Sequence, residues 1–137
     1  MAFDPKSDYP VGTRRPDLVL TPGGTPLEGV TLDAVRAGAL GAAEMRATPE
    51  TLRLQSEVAL AAGRTQLAEN LDRAAELAAL PDELLLEVYT ALRPRRATAA
   101  ELEGWASRLE GHDAVKTAAF VREAMVVYAE RGLLADA

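Results

Sequence analysis

The stretch LPDELLLEVYTALRPRRATAAE, residues 80 to 101, decides the fold class. Pro81 and Asp82 open a helix: the proline's fixed φ and the acids Asp82 and Glu83 suit a first turn, where N–H groups are unpaired and the helix dipole is positive. Leu85, Val88, Tyr89 and Leu92 then recur at i, i+3, i+4 and i+7, so one face is apolar. Pro94 ends the helix, because the residue before a proline avoids the α region. Thr98 and Glu101 spell a capping box that starts another helix almost at once. Two helices joined by the arginine-rich hinge Arg93-Pro94-Arg95-Arg96 therefore predict a helical domain. None of these residues forms a catalytic constellation.

Downstream, Leu102, Ala106 and Leu109 mark the face of the second helix, with Trp105 beside them, and Gly111-His112-Asp113 reads as a loop with Asp113 as the next cap. The last helix is expected from Ala114 to about Arg131. Its polar residues Lys116, Glu123 and Glu130 repeat every seven positions on one narrow stripe. Val121 and Met125 lie nearly opposite, while Ala119 and Val126 flank the stripe at about 40–60°. A helix apolar on most sides is buried on most sides. Either this helix is central or another protein covers its second face.

Upstream, Thr48-Pro49-Glu50 gives a cap, a proline at the first helical position and an acid behind it. Leu54, Val58 and Ala61 predict that helix's apolar face, and Gly63 its stop. Thr65 is the expected cap of the next, whose face is Leu67, Leu71, Ala74 and Ala78. Before this helical body (residues 48–132) lie two further segments. Residues 1–16, with Pro5, Pro10, Gly12 and Pro16, read as an extended arm. Residues 17–47 read as a hairpin and short helices: strands at 18–21 and 25–27 about the turn Pro22-Gly23-Gly24, a helix capped by Thr31 and stopped by Gly38, and one more turn within 40–46. The expectation is a single all-α domain over residues 1–137: a small bundle of about five helices with an extended N-terminal arm and a short β-hairpin.

Composition narrows the function by exclusion. The 137 residues carry a net charge of −6, which disfavours nucleic acid or an anionic membrane as the main partner. There is no cysteine, so disulfides and thiolate metal sites are ruled out. Aromatic residues are only 4% against 48% hydrophobic overall, so the core must be built from Leu, Ala and Val, which suits a small bundle leaning on a partner. No apolar run approaches the ~20 residues of a membrane span, and MAFDPKSDYP, residues 1–10, lacks an apolar signal core. His112, the one histidine, reads as a solvated loop residue. Gly23-Gly24 is followed by no Lys-Ser/Thr and is not a phosphate loop. No metal-ligand spacing and no nucleophile motif is present. The catalytic, cofactor-binding and metal-binding residues expected in this chain are therefore none. Arg93, Arg95 and Arg96, with Arg14-Arg15, form the clearest positive patch; they are expected to meet helix C-terminal carbonyls or carboxylates on a neighbouring helix or partner subunit. Tyr89 and Tyr128 are expected at core or interface.

Several stretches also resemble, in order, the small subunit of adenosylcobalamin-dependent diol and glycerol dehydratases. They are Asp8-Tyr9-Pro10 with Arg14; Leu20-Thr21-Pro22 with Pro26-Leu27; Thr31-Leu32 with Val35 and Gly38; Leu67-Ala68-Glu69-Asn70 with Arg73-Ala74-Ala75-Glu76-Leu77; Leu80-Pro81-Asp82-Glu83 with Tyr89, Ala91-Leu92-Arg93-Pro94 and Arg96; and Ala118 through Ala124 with Val127-Tyr128 and Arg131. The likeness runs roughly from Tyr9 to Leu133. It departs at Thr90, where the family usually has asparagine, at Leu71, where phenylalanine is common, and in the loop Gly111-His112-Asp113. The resemblance implies a small, non-catalytic subunit that joins large and medium subunits as a dimer of heterotrimers. The large subunit holds the substrate, and adenosylcobalamin lies between the large and medium subunits. The complex removes water from 1,2-propanediol or glycerol to give the aldehyde by radical chemistry. The implied location is cytoplasmic, with a bacterial microcompartment as an allowed housing. The alternative reading is a free-standing helical adaptor.

Overall fold

The computed structural model describes residues 2–136, which contain seven α-helices and no strand. They are α1 (Val11–Arg14), α2 (Leu32–Arg36), α3 (Pro49–Ala61), α4 (Thr65–Ala78), α5 (Asp82–Ala91), α6 (Ala99–Glu110) and α7 (Val115–Arg131). The chain divides into two compact units, Met1–Ala78 and Ala79–Ala137. The all-α expectation holds, with five helices of ten or more residues and two short ones. Side-chain chemistry sets several starts. Thr31 accepts from Ala34 N at 3.1 Å, and Thr48 from Thr51 N at 3.2 Å ahead of Pro49. Thr98 and Glu101 complete the expected capping box, Glu101 N to Thr98 Oγ1 at 3.2 Å and Thr98 N to Glu101 Oε2 at 2.8 Å. At the other ends, Gly38 and Gly63 both take φ of +74°, the left-handed geometry that glycine adopts without strain.

Two expectations for the first unit are corrected. The N-terminal segment is not an extended arm (its first residue, Met1, lies outside the described residues). Asp8 N bonds Asp4 O at 2.9 Å, α1 follows, and Val11 is 2% exposed. The prolines that suggested an unpaired chain stand where a missing N–H costs nothing: Pro10 precedes α1 and Pro16 opens a 3-10 turn, Pro16–Leu18. Arg15 ties the segment to itself through Asp8 at 3.2 Å and Asp17 at 2.9 Å. The β-hairpin is reduced to one isolated bridge, Leu20 to Pro26. Pro22 and Pro26 have no N–H to give a ladder, and Leu18 and Leu27 are drawn into 3-10 turns. The loop is held instead by Thr21, whose hydroxyl donates to Glu44 Oε2 at 2.5 Å and accepts from Thr25 N at 2.9 Å. A Cβ on Gly23 would lie 2.5 Å from Glu44 Oε1, so glycine there leaves room for that carboxylate. Glu44 itself belongs to the single turn expected within 40–46, a 3-10 turn over Ala42–Met45.

Helices α3 and α4 pack as a hairpin about Gly63. Their buried seam is Ser56 and Ala59 against Ala68 and Ala75, and Ser56 Oγ donates to Ala68 O at 2.9 Å. The expected faces were both displaced. Leu54 and Val58 are half-buried and Ala61 exposed; Leu71 and Ala74 are half-buried, with Leu67 and Ala78 exposed. Small residues let two backbones approach closely, so these helices meet along their smallest side chains and leave larger ones on the flanks. Thr65 is the first helical residue of α4 rather than its cap.

In the second unit, α5 lies on α6 and α6 pairs with α7. Leu84, Val88, Leu102, Ala106, Leu109, Ala118 and Val121 are buried. Leu102, Ala106 and Leu109 are the expected face of α6. On α5 the buried line is Leu84 and Val88, with Leu85 half-buried and Tyr89 exposed, a rotation from the expected face. The expected cap Asp113 is also corrected: it sits at φ +60°, and Ala114 precedes α7 with no side-chain cap. At its other end α7 closes on Gly132 (φ +64°), with Leu133 N bonded to Tyr128 O at 2.8 Å. The tail then ties back to the hinge. Arg95 N bonds Leu133 O at 2.7 Å, and Ala135 N bonds Ala97 O at 2.9 Å.

Candidate partner-binding surface

Helix α7 is not a central helix. Thr117, Ala118 and Val121 are buried, but Val115 is 59% and Val126 54% exposed, and Ala119 and Phe120 are also open. Val115, Ala119 and Val126 follow at i, i+4 and i+11, so they share one face. The polar stripe Lys116, Glu123 and Glu130 is exposed as expected, and Val121 and Met125 lie on the inner side. Of the two explanations the sequence allows, the uncovered second face remains. An apolar helix face left to water is the kind of patch that marks an interaction site.

Helix α5 adds Leu86, 66% exposed, and Tyr89, 56% exposed. Three consecutive leucines, Leu84-Leu85-Leu86, span about 200° of a helix and cannot all face one core. Leu86 falls off the i, i+3, i+4 line of Leu85, Val88 and Tyr89, so that spacing gives no sign of it. Beside it lies a groove of about 470 Å³ lined by Leu86, Glu87, Thr90, Ala91, Arg96, Ala97, Glu101 and Trp105. Thr90 turns its hydroxyl back to Leu86 O at 2.8 Å.

The hinge arginines are exposed, and no carboxylate of the described residues pairs with Arg93, Arg95 or Arg96. The pairing expected with a neighbouring helix is therefore not made among the described residues. The carbonyl at the end of α5 is met by Tyr128 instead, its hydroxyl donating to Leu92 O at 2.5 Å. Tyr128 thus serves the core side, while Tyr89 faces outward.

One cluster is internally complete. Arg122 on α7 donates to Glu103 at 2.7 Å and to Glu110 at 2.5 Å, both on α6. The guanidinium holds both carboxyls below the ordinary glutamate value of 4.5, and the two carboxylates raise Arg122 in turn. A carboxyl lowered in the folded state adds stability above its unfolded pKa and loses it as pH falls through the folded one. The melting temperature of the second unit, followed by the single Trp105, should be flat from about pH 7 to 5 and fall below about 4.5. Arg122→Leu should shrink that fall, with Glu101, lowered by its bonds to Thr98, leaving a remainder. An equal fall in both proteins would show that the cluster contributes nothing.

The first unit has its own apolar groove, about 580 Å³, in which Tyr9 faces Val58, Leu67 and Leu71. Among the described residues no three His, Asp or Glu side chains stand close enough to hold a metal, and no helix is long and apolar enough to cross a membrane. His112 is exposed in its loop.

The described residues thus leave apolar faces of α5 and α7 open and the hinge arginines without carboxylate partners. The chain belongs to the dehydratase small-subunit family: a family model described as "Dehydratase small subunit" matches residues 5–135. It is 49% identical over 126 residues to the propanediol dehydratase small subunit of Citrobacter freundii, covering 91% of this chain and 73% of that one. Identity and coverage are the same against the propanediol dehydratase small subunit of Salmonella typhimurium.

Proposed function

We propose that this chain is the small, non-catalytic subunit of an adenosylcobalamin-dependent diol or glycerol dehydratase. It joins a large and a medium subunit in a dimer of heterotrimers that eliminates water from 1,2-propanediol or glycerol to leave the aldehyde. It acts there as one small-subunit domain, in the cytoplasm, with or without a bacterial microcompartment around the complex. The observation that carries this reading is the open face of α7, where Val115, Ala119 and Val126 meet water in the lone chain. Family membership supports the rest.

In this reading the corrinoid lies outside this chain. Four grooves among the described residues, each about 370 to 580 Å³, hold no histidine, and the chain's one imidazole, His112, stands in an exposed loop. We therefore assign cofactor and chemistry to the larger subunits, where the cofactor supplies the radical. Catalytic, cofactor-binding and metal-binding residues are assigned to none in this chain.

The test is co-expression with the two larger chains of such an enzyme. The expected result is a three-chain complex that forms aldehyde from the diol only when adenosylcobalamin is added. Turnover by the pure chain, or failure to retain either larger chain, would sink the reading and restore the free-standing adaptor.

A further inference from the structure

In the groove beside α5, Arg96 is the one lining cation, and no carboxylate among the described residues pairs with it. Glu87 is engaged by Arg108 at 3.4 Å, and Glu101 is engaged by Thr98 in the capping box. Among the described residues Arg93 and Arg95, in the same turn, have no carboxylate partner either. The turn is built rather than loose. Arg95 sits at φ +59°, and the tail after α7 bonds Arg95 N on one side and Ala97 O on the other. The groove wall is apolar: Leu86, Ala91, Ala97 and Trp105, with the Arg108 guanidinium 5.2 Å from the Trp105 ring centre. A guanidinium beside an apolar wall suits a carboxylate next to an apolar side chain, held bidentately. A nucleic acid suits it less, because the chain as a whole carries −6 and a polyanion must meet many cations at once.

We propose that this groove receives a segment of a larger dehydratase subunit, seating an apolar side chain against Leu86, Ala91 and Trp105 and an Asp or Glu on Arg96. The assignment rests on the subunit reading above and adds where, and by what chemistry, one contact is made. Arg96 and Leu86 are exposed, so changing them leaves the free chain folded, and circular dichroism checks this.

The full chain is co-expressed with both larger subunits. Arg96→Glu should weaken retention of the larger chains roughly thirtyfold or more, the loss expected when one member of a buried charge pair is reversed. A photo-reactive benzoylphenylalanine in place of Leu86 should cross-link, in the assembled complex, to a larger-subunit peptide that contains Asp or Glu. Wild-type retention by Arg96→Glu, or no cross-link from position 86, overturns the proposal and leaves the subunit reading standing. Binding of a short RNA that Arg96→Glu abolishes, with assembly intact, overturns it in favour of a nucleic acid. Failure of the wild-type chain to assemble removes both.

Discussion

A glutamate in place of Val126 should leave the chain folded and the complex unmade. Val126 is 54% exposed on α7, so in the free chain the new carboxylate stays in water on a helix that already tolerates Glu123 and Glu130 nearby. Its melting temperature should stay within about 2 °C of wild type, the ordinary range for a surface change. In a complex that covers this face, the same carboxylate is buried without a partner, at a cost of several kcal/mol. Ala119→Glu, on the same face, should behave alike, whereas Glu123→Gln and Glu130→Gln on the polar stripe should assemble normally. The measurement is what co-elutes with each variant when all three chains are expressed together. If Val126→Glu and Ala119→Glu both assemble with wild-type heat resistance, the open face of α7 is not the subunit surface.

The opposite pattern is expected at Leu109, which is 0% exposed in the second unit. Leu109→Ala removes buried methyl groups and leaves a cavity, costing about 3–5 kcal/mol. A domain of this size has only about 5–10 kcal/mol in hand, so the free chain should melt on the order of 15 °C lower. Trp105 is the only tryptophan and belongs to the same unit, so its fluorescence reports this transition without confusion from the first. Leu86→Ala, a chemically identical truncation at a 66% exposed position, should leave the free chain nearly unchanged and act only on assembly. Equal losses for both variants would show that burial in the lone chain does not distinguish core from partner surface.

These two positions also show how far the sequence could be read. Leu109 falls on the regular face of Leu102, Ala106 and Leu109, and a periodic line on a helix with a complete capping box names its own core. Val126 was suspect because the polar stripe of α7 is narrow. Periodicity could say that its neighbourhood was too apolar for water, but not whether another helix of this chain covers it. Tyr89 and Leu86 were harder still. Spacing puts Leu85 and Tyr89 on the inner face, yet α5 turns to bury Leu84 and Val88, leaving Leu86 to line the groove and Tyr89 exposed.

From the sequence alone follow the helical class, most helix starts and stops, and the arginine turn. Each rests on interactions between residues a few positions apart: a threonine and the N–H three residues on, a proline that blocks a helix, a glycine at positive φ. The tertiary structure alone decided which stripe of each helix is buried, that Val11 folds the N-terminal segment inward, and that Tyr128 reaches Leu92 across the second unit. It also replaced the expected hairpin with a loop fastened by Thr21 to Glu44. The reason is physical. Hydropathy marks the greasiest face, but helices that pack closely meet along their smallest one, as Ser56, Ala59, Ala68 and Ala75 do. The leucines and valines displaced by that choice are what the chain has left to offer a partner.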